Sequence, residues 1–125
     1  MIQHTILTAA EEKLAALIWR EAPMASPDLV MLAQGEMDWK KSTTYTVLKK
    51  LCDKGLFRNE NALITVLLTY DQFIARESRS YVEDLFGGSL PRFITAFTGG
   101  RKLTAEQADE LRRLIDAHEK EGGNE

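Results

Sequence analysis

Cysteine is nearly missing from this sequence. Cys52 is the single one in 125 residues, which excludes an intrachain disulfide framework and a zinc site built on several cysteines. A lone thiol fits a reducing compartment, so a cytoplasmic location is expected. Histidine is almost as scarce. His4 and His118 stand in the terminal segments with no ligand spacing between them, so surface roles are expected and no metal site. The longest apolar run, Ala62 to Leu68, is broken by Thr65 and is far shorter than the ~20 residues that cross a bilayer. The opening Met1-Ile2-Gln3-His4 has no basic segment ahead of an apolar core, so neither a signal peptide nor membrane insertion is expected. A glycine-rich phosphate loop, a Ser/His/Asp set and an HExxH pattern are all lacking, and neither enzymatic activity nor a cofactor is expected. Positive charge is not in excess either: 16 Lys/Arg stand against 19 Asp/Glu, a net charge of −3.

What is present is an ordinary globular composition, 44% hydrophobic and 28% charged, in a chain of one-domain size. Thr8-Ala9-Ala10-Glu11 is a capping-box pattern. Leu14, Leu17 and Ile18 follow at helical spacing with Trp19 beside them, so a first helix is expected over 9–20, ending before Pro23. Ser26-Pro27 reads as an N-cap with proline in the first turn. The second helix is expected over 27–34, stopped by Gly35. The third runs from Lys41 to Lys54, with Val47, Leu48 and Leu51 as its apolar stripe and Gly55 as its stop. Leu56-Phe57-Arg58 looks extended, Asn59-Glu60-Asn61 is a turn cluster, and Ala62 to Leu68 reads as a strand. Three helices and then a hairpin is the order of a winged helix-turn-helix module.

After Thr69 the helical pattern returns. Phe73, Ile74, Tyr81, Leu85 and Phe86 lead to Gly87-Gly88. Ser89 is a cap for a short helix with Leu90, Phe93, Ile94 and Phe97, closed by Gly99-Gly100. Thr104-Ala105-Glu106-Gln107 is a second capping box, opening a helix with Leu111, Leu114 and Ile115. The expected fold class is α+β, mostly α. It has a winged helix over 1–70, a helical region over 71–120 and a disordered tail over 121–125.

The local charge tells more than the total. From Asp38 to Arg58 there are six Lys/Arg and two Asp, a net +4, which leaves −7 for the rest. A basic stripe inside an acidic chain is the electrostatic footprint of nucleic-acid binding. Lysines neutralise phosphates and release counterions, and short polar side chains near a helix start reach base edges in the major groove. Lys40, Lys41, Lys49, Lys50 and Arg58 are the candidate phosphate contacts. Ser42, Thr43, Tyr45 and Thr46 are the candidates nearest the bases. Taken alone, a lysine-rich helix is more often a solvated face; its place as the third helix, just before a hairpin, is what favours DNA. Cys52 is read as a small core residue, and Trp19 and Trp39 as core and helix-edge residues.

The pattern resembles the BlaI/MecI penicillinase-repressor family. Leu7-Thr8-x-x-Glu11 with Leu17-Ile18-Trp19 is similar to the family's start. Thr43-x-Tyr45-Thr46-x-Leu48-x-Lys50-Leu51-x-x-Lys54-Gly55 is similar to its recognition helix and exit. Leu85-Phe86-Gly87-Gly88-Ser89 resembles the junction to its dimerisation region, and Leu103-Thr104-x-x-Gln107-x-x-x-Leu111-x-x-Leu114-Ile115 its last helix. The resemblance implies a transcriptional repressor that binds a double-stranded DNA operator, pseudo-palindromic in sequence, as a homodimer. The dimer would be built from Leu85, Phe86, Phe93, Ile94, Phe97, Leu111, Leu114 and Ile115.

Three features depart from the family. The wing turn Asn59-Glu60-Asn61 is neutral to acidic where the family often carries Arg or Lys. Family members that answer to a membrane sensor-protease are cut in the dimerisation region, at a bond corresponding here to Ala96–Phe97, and the asparagine usual before the phenylalanine is absent. The cysteine cluster that ends the copper-responsive branch is also absent. The competing expectation is a winged-helix protein-interaction adaptor that docks through its acidic C-terminal half.

Overall fold

The computed structural model describes residues 7–123. In chain order the elements are α1 (Ala9–Glu21), β1 (Met24–Ala25), α2 (Ser26–Met37), α3 (Lys41–Asp53), β2 (Phe57–Glu60), β3 (Leu63–Val66), α4 (Tyr70–Phe86), α5 (Leu90–Phe97) and α6 (Ala105–Gly123). The class is the expected one, mostly helical with a small sheet.

α1 starts as its sequence dictates. The Glu11 N–H donates to Thr8 Oγ1 at 3.1 Å, and the Thr8 N–H donates to Glu11 Oε1 at 2.8 Å. Its inner face buries Leu14, Ala15, Leu17 and Ile18. The chain then forms β1, too short to show any alternation in the sequence. α2 departs from expectation at both ends. It begins at Ser26 itself, without a side-chain cap. It also passes through Gly35, which lies in the helix with open space around it. The stop is Asp38, in the left-handed region at φ 56°, where a short polar side chain is tolerated. Trp39 and Lys40 then lead into α3.

The sheet is antiparallel, in the order β1-β3-β2. Glu60 pairs with Leu63 and Phe57 with Val66, so only Asn61 and Ala62 form the hairpin turn. Both have positive φ, 53° and 62°, as a type I′ turn requires. The expected Asn59-Glu60-Asn61 turn is therefore displaced: Asn59 and Glu60 belong to β2. β1 adds to the other edge of β3, with Met24 opposite Ile64, and the Ser26 N–H donates to the Ala62 carbonyl at 2.8 Å.

These elements share one core. Leu14, Ile18, Leu29, Leu48, Leu51, Leu56, Phe57 and Ile64 are all fully buried. Phe73 of α4 closes it from the C-terminal side. Trp19 pins the start of α4: its Nε1–H donates to the Leu68 carbonyl at 2.9 Å, and its ring stands edge-on to Phe57 and Tyr70, each at 5.4 Å.

Past Phe73 the character changes. α4, α5 and α6 are well capped, by Thr69 with Gln72, by Ser89, and by Thr104 with Gln107. Yet no side chain after Phe73 is buried among the described residues. Tyr81, Phe86, Phe93 and Phe97 form a chain of rings at 5.5–6.1 Å that ties α4 to α5. Phe93, Ile94 and Phe97 then face Leu103, Leu111 and Leu114 across an open apolar groove between α5 and α6. Residues 121–123, expected in the tail, continue α6; Asn124, Glu125 and His4 lie outside the described residues.

Candidate nucleic-acid interface

α3 presents two unlike faces. Thr44, Val47, Leu48 and Leu51 are buried in the core. Lys41, Ser42, Thr43, Thr46, Lys49 and Lys50 are exposed. Helical spacing stacks Ser42, Thr46 and Lys49 along one line and Thr43, Thr46 and Lys50 along the next. Three of the four residues expected nearest the bases are thus gathered with the lysines on one solvent-facing surface. Tyr45 differs. It is half-buried, and its hydroxyl lies 3.3 Å from Ser26 Oγ. Ser26, expected as an N-cap, is instead a buried polar group between α2, the wing and α3.

The basic residues of this segment are not equivalent. Lys40, Lys41, Lys50 and Arg58 make no ion pair among the described residues. Lys49 meets Asp53 at 3.2 Å, with both side chains largely exposed; such a pair is worth only about 0.3–0.5 kcal/mol and opens easily for a stronger anion. Lys54 is committed inward. Its Nζ lies 2.6 Å from Glu11 Oε1, and that carboxylate is almost completely buried. Burial pushes the Glu11 carboxyl up, but the Lys54 and Thr8 hydrogen bonds outweigh it and hold it below the ordinary carboxylate value. The pair joins the end of α3 to the start of α1, a link across 43 positions that local sequence does not announce.

The entrance of α3 adds to the field. Alone with α2 among the helices described above, it has no side-chain cap, and its first turn contains no acidic residue. The uncapped N–H groups and the positive end of the helix dipole stand beside Lys40 and Lys41, an arrangement that favours an anion.

The wing offers less. Arg58 is exposed on β2 opposite Thr65, while the turn itself, Asn61-Ala62, carries no charge. Cys52 is half-buried under a shallow cleft lined by Tyr45, Leu48, Lys49 and Asn59. Burial, with Asp53 beside it, pushes its thiol up, so it is a weak nucleophile. His118 is exposed, its Nδ1 2.9 Å from the Leu114 carbonyl. Among the described residues no three His, Cys, Asp or Glu side chains are grouped to hold a metal, and no helix is long and apolar enough to cross a membrane.

The residues expected to mediate dimerisation are present as an unsatisfied surface. Leu85, Phe97, Leu114 and Ile115 are exposed, the last three by more than half. Phe86, Phe93, Ile94 and Leu111 are partly covered, by each other and by neighbouring helices. Ala96 and Phe97 occupy the last turn of α5, both exposed.

A helix-turn-helix with an exposed basic third helix, backed by a short hairpin on the same core, defines a winged-helix module of the nucleic-acid-binding kind. The model of one family, described as penicillinase repressor, matches residues 7–117, and the chain belongs to that family. It is similar to the penicillinase repressor of Bacillus licheniformis, 20% identical over 116 residues that cover 90% of this chain and 91% of that protein. It is also similar to an uncharacterized 16.5 kDa protein in the ptsI 3' region of Latilactobacillus sakei, 25% identical over 115 residues, covering 89% and 79% of the two chains.

Proposed function

We propose that this protein is a sequence-specific DNA-binding repressor of transcription that acts in the cytoplasm as a homodimer on a pseudo-palindromic operator. One observation carries the reading. The outer face of α3 gathers Ser42, Thr43 and Thr46 with lysines that have no internal partner, while its inner face is locked into the core. Lys40, Lys41, Lys50 and Arg58 hold phosphates, joined by Lys49 once it leaves Asp53. Ser42, Thr43 and Thr46 read base edges, and Tyr45, tethered towards Ser26, lies at the margin of that surface. Phosphate contacts position the helix and base contacts specify the site. Residues 1–70 are the DNA-binding unit and 71–120 the dimerisation unit, in which the exposed apolar face of α4–α6 meets its counterpart on a second chain. No catalytic role is assigned.

Relief of repression by a membrane sensor-protease cutting Ala96–Phe97 belongs to the same reading. The cut separates α6 from α5 and so divides the dimer face. A protease binds its substrate extended, so the last turn of α5 has to unwind first.

The test is fluorescence anisotropy with a duplex from upstream of the protein's own gene and a scrambled duplex, across a salt series. Salt-dependent preference for the upstream duplex, saturating at two chains per site, is the expected result. Equally weak binding to both duplexes turns the reading towards a protein-interaction adaptor, which the uncharged wing turn and the exposed acidic residues of α6, Glu106, Asp109 and Glu110, favour.

A further inference from the structure

The first two turns of α4 are seated on the winged helix by one face. Tyr70 stands 5.4 Å from Trp19, and Phe73, one turn on, is buried 6.1 Å from the same ring. One further turn brings Arg76 to the same side. Its guanidinium lies over the Phe73 ring at 5.6 Å, and its Nε donates to Glu77 at 3.0 Å. Its second terminal nitrogen is enclosed with no acceptor among the described residues. The remaining nitrogen rests against Gly55: a Cβ added there would sit 3.8 Å from it. Gly55 has φ +87° and directly follows the C-cap of α3. The guanidinium is therefore wedged between the exit of α3 and the body of α4. Beyond Arg76, α4 buries nothing against the winged helix among the described residues.

The Arg76 side chain stays 38% exposed as a whole, but its innermost nitrogen is buried at the joint, which holds the planar group at that end. Tyr70 and Phe73 anchor the start of α4 against Trp19. Arg76 reaches across to the exit of α3, where a Cβ on Gly55 would stand 3.8 Å from its nitrogen.

We infer that Arg76 is a positioning residue: it sets the direction of α4 relative to α3, and through it the separation at which a dimer holds its two α3 helices. The second half of this inference rests on the dimeric operator-binding reading above.

The experiment has two arms. In the first, spin labels are placed at Glu60→Cys in the wing and Glu83→Cys near the end of α4, in a Cys52→Ser background. Labelled chain is diluted with excess unlabelled chain, so only the intrachain distance is read. The parent is expected to give one narrow distance. Arg76→Met keeps the aliphatic stem but removes the wedge, and is expected to broaden or shift that distance, with Arg76→Lys in between. All variants are required to keep the parent's thermal midpoint. Arg76→Met and Arg76→Lys distributions that overlay the parent's would overturn the inference. In the second arm, the half-sites of the bound duplex are moved apart one base pair at a time. The parent is expected to favour one separation, and Arg76→Met to lower that preference about fivefold while single half-site binding is unchanged. If the distance broadens but the favoured separation stays as sharp, the link from Arg76 to half-site spacing is overturned. If the parent prefers no duplex at all, the operator reading itself falls, while the first arm still decides whether Arg76 holds α4.

Discussion

Between Leu14 and Phe73, fourteen apolar side chains are buried, drawn from seven elements and the link before β2 around one centre. Between Ile74 and the end of the described side chains there is not one. The second stretch is somewhat poorer in apolar residues, but it still carries Tyr81, Leu85, Phe86, Phe93, Ile94, Phe97, Leu111, Leu114 and Ile115. The two stretches differ above all in geometry. In the winged helix, α1 and α3 close over the sheet and the inward-facing side chains meet in one core. After Phe73 the helices are individually well capped, but a single chain gives them little to close on. Capping and helical periodicity are local properties, and burial is not. A segment can satisfy every local rule and still need a second surface.

Substitutions can break or sharpen this contrast. The largest effect is expected in the first region. Phe57→Ala removes a fully buried ring and is expected to cost about 3–5 kcal/mol, a large part of a small domain's stability, read by urea denaturation. A Leu114→Asp change is expected to leave that core intact. It should weaken self-association about a hundredfold, roughly 2.7 kcal/mol, measured by sedimentation equilibrium, with hydrogen exchange in α1–α3 unchanged. If Leu114→Asp instead unfolds the winged helix, the two regions are not separable.

Smaller effects probe the first region's polar support. Lys54→Met strands the buried Glu11 carboxylate and is expected to cost about 2 kcal/mol at neutral pH. The sign with pH follows from the Glu11 shift. Its folded value lies below the ordinary one, so the stabilisation is fully present above the carboxylate range and is lost as pH falls through it. In Lys54→Met, denaturation at pH 3 and 7 should show that acid loss diminished. The smallest effect has the opposite sign. Gly35→Ala sits in an exposed helical position with nothing near its Cβ and is expected to stabilise by about 0.5–1 kcal/mol, visible as a raised thermal midpoint.

The sequence made the helices legible because their signals are local: the Thr8, Ser89 and Thr104 caps and the apolar stripes all stand where the structure has them. The outer face of α3 was legible for the same reason. The misses have physical causes. The polar run Asn59-Glu60-Asn61 looks like a turn, but strand pairing extends through Glu60, and the left-handed positions fall on Asn61 and Ala62, without the usual glycine. Gly35 looks like a stop, but α2 packs Leu29 and Ala33 and continues to Asp38. β1 is two residues long and exists only because β3 has a free edge. Lys54 was counted with the basic stripe, because its partner Glu11 is visible only once α1 and α3 are packed. Tyr45 and Arg76 are similar cases, each defined by a neighbour far away in the chain.

Trp19 gives the molecule an optical consequence. One of two tryptophans, it holds the start of α4 with its indole N–H on a backbone carbonyl and its ring among Phe57, Tyr70 and Phe73. With Trp39→Phe removing the other indole, and with excitation at the red edge where tyrosine does not absorb, the emission comes from Trp19 at the joint. Its wavelength then reads how tightly the helices after Phe73 are seated, in unlabelled protein and on bound DNA alike.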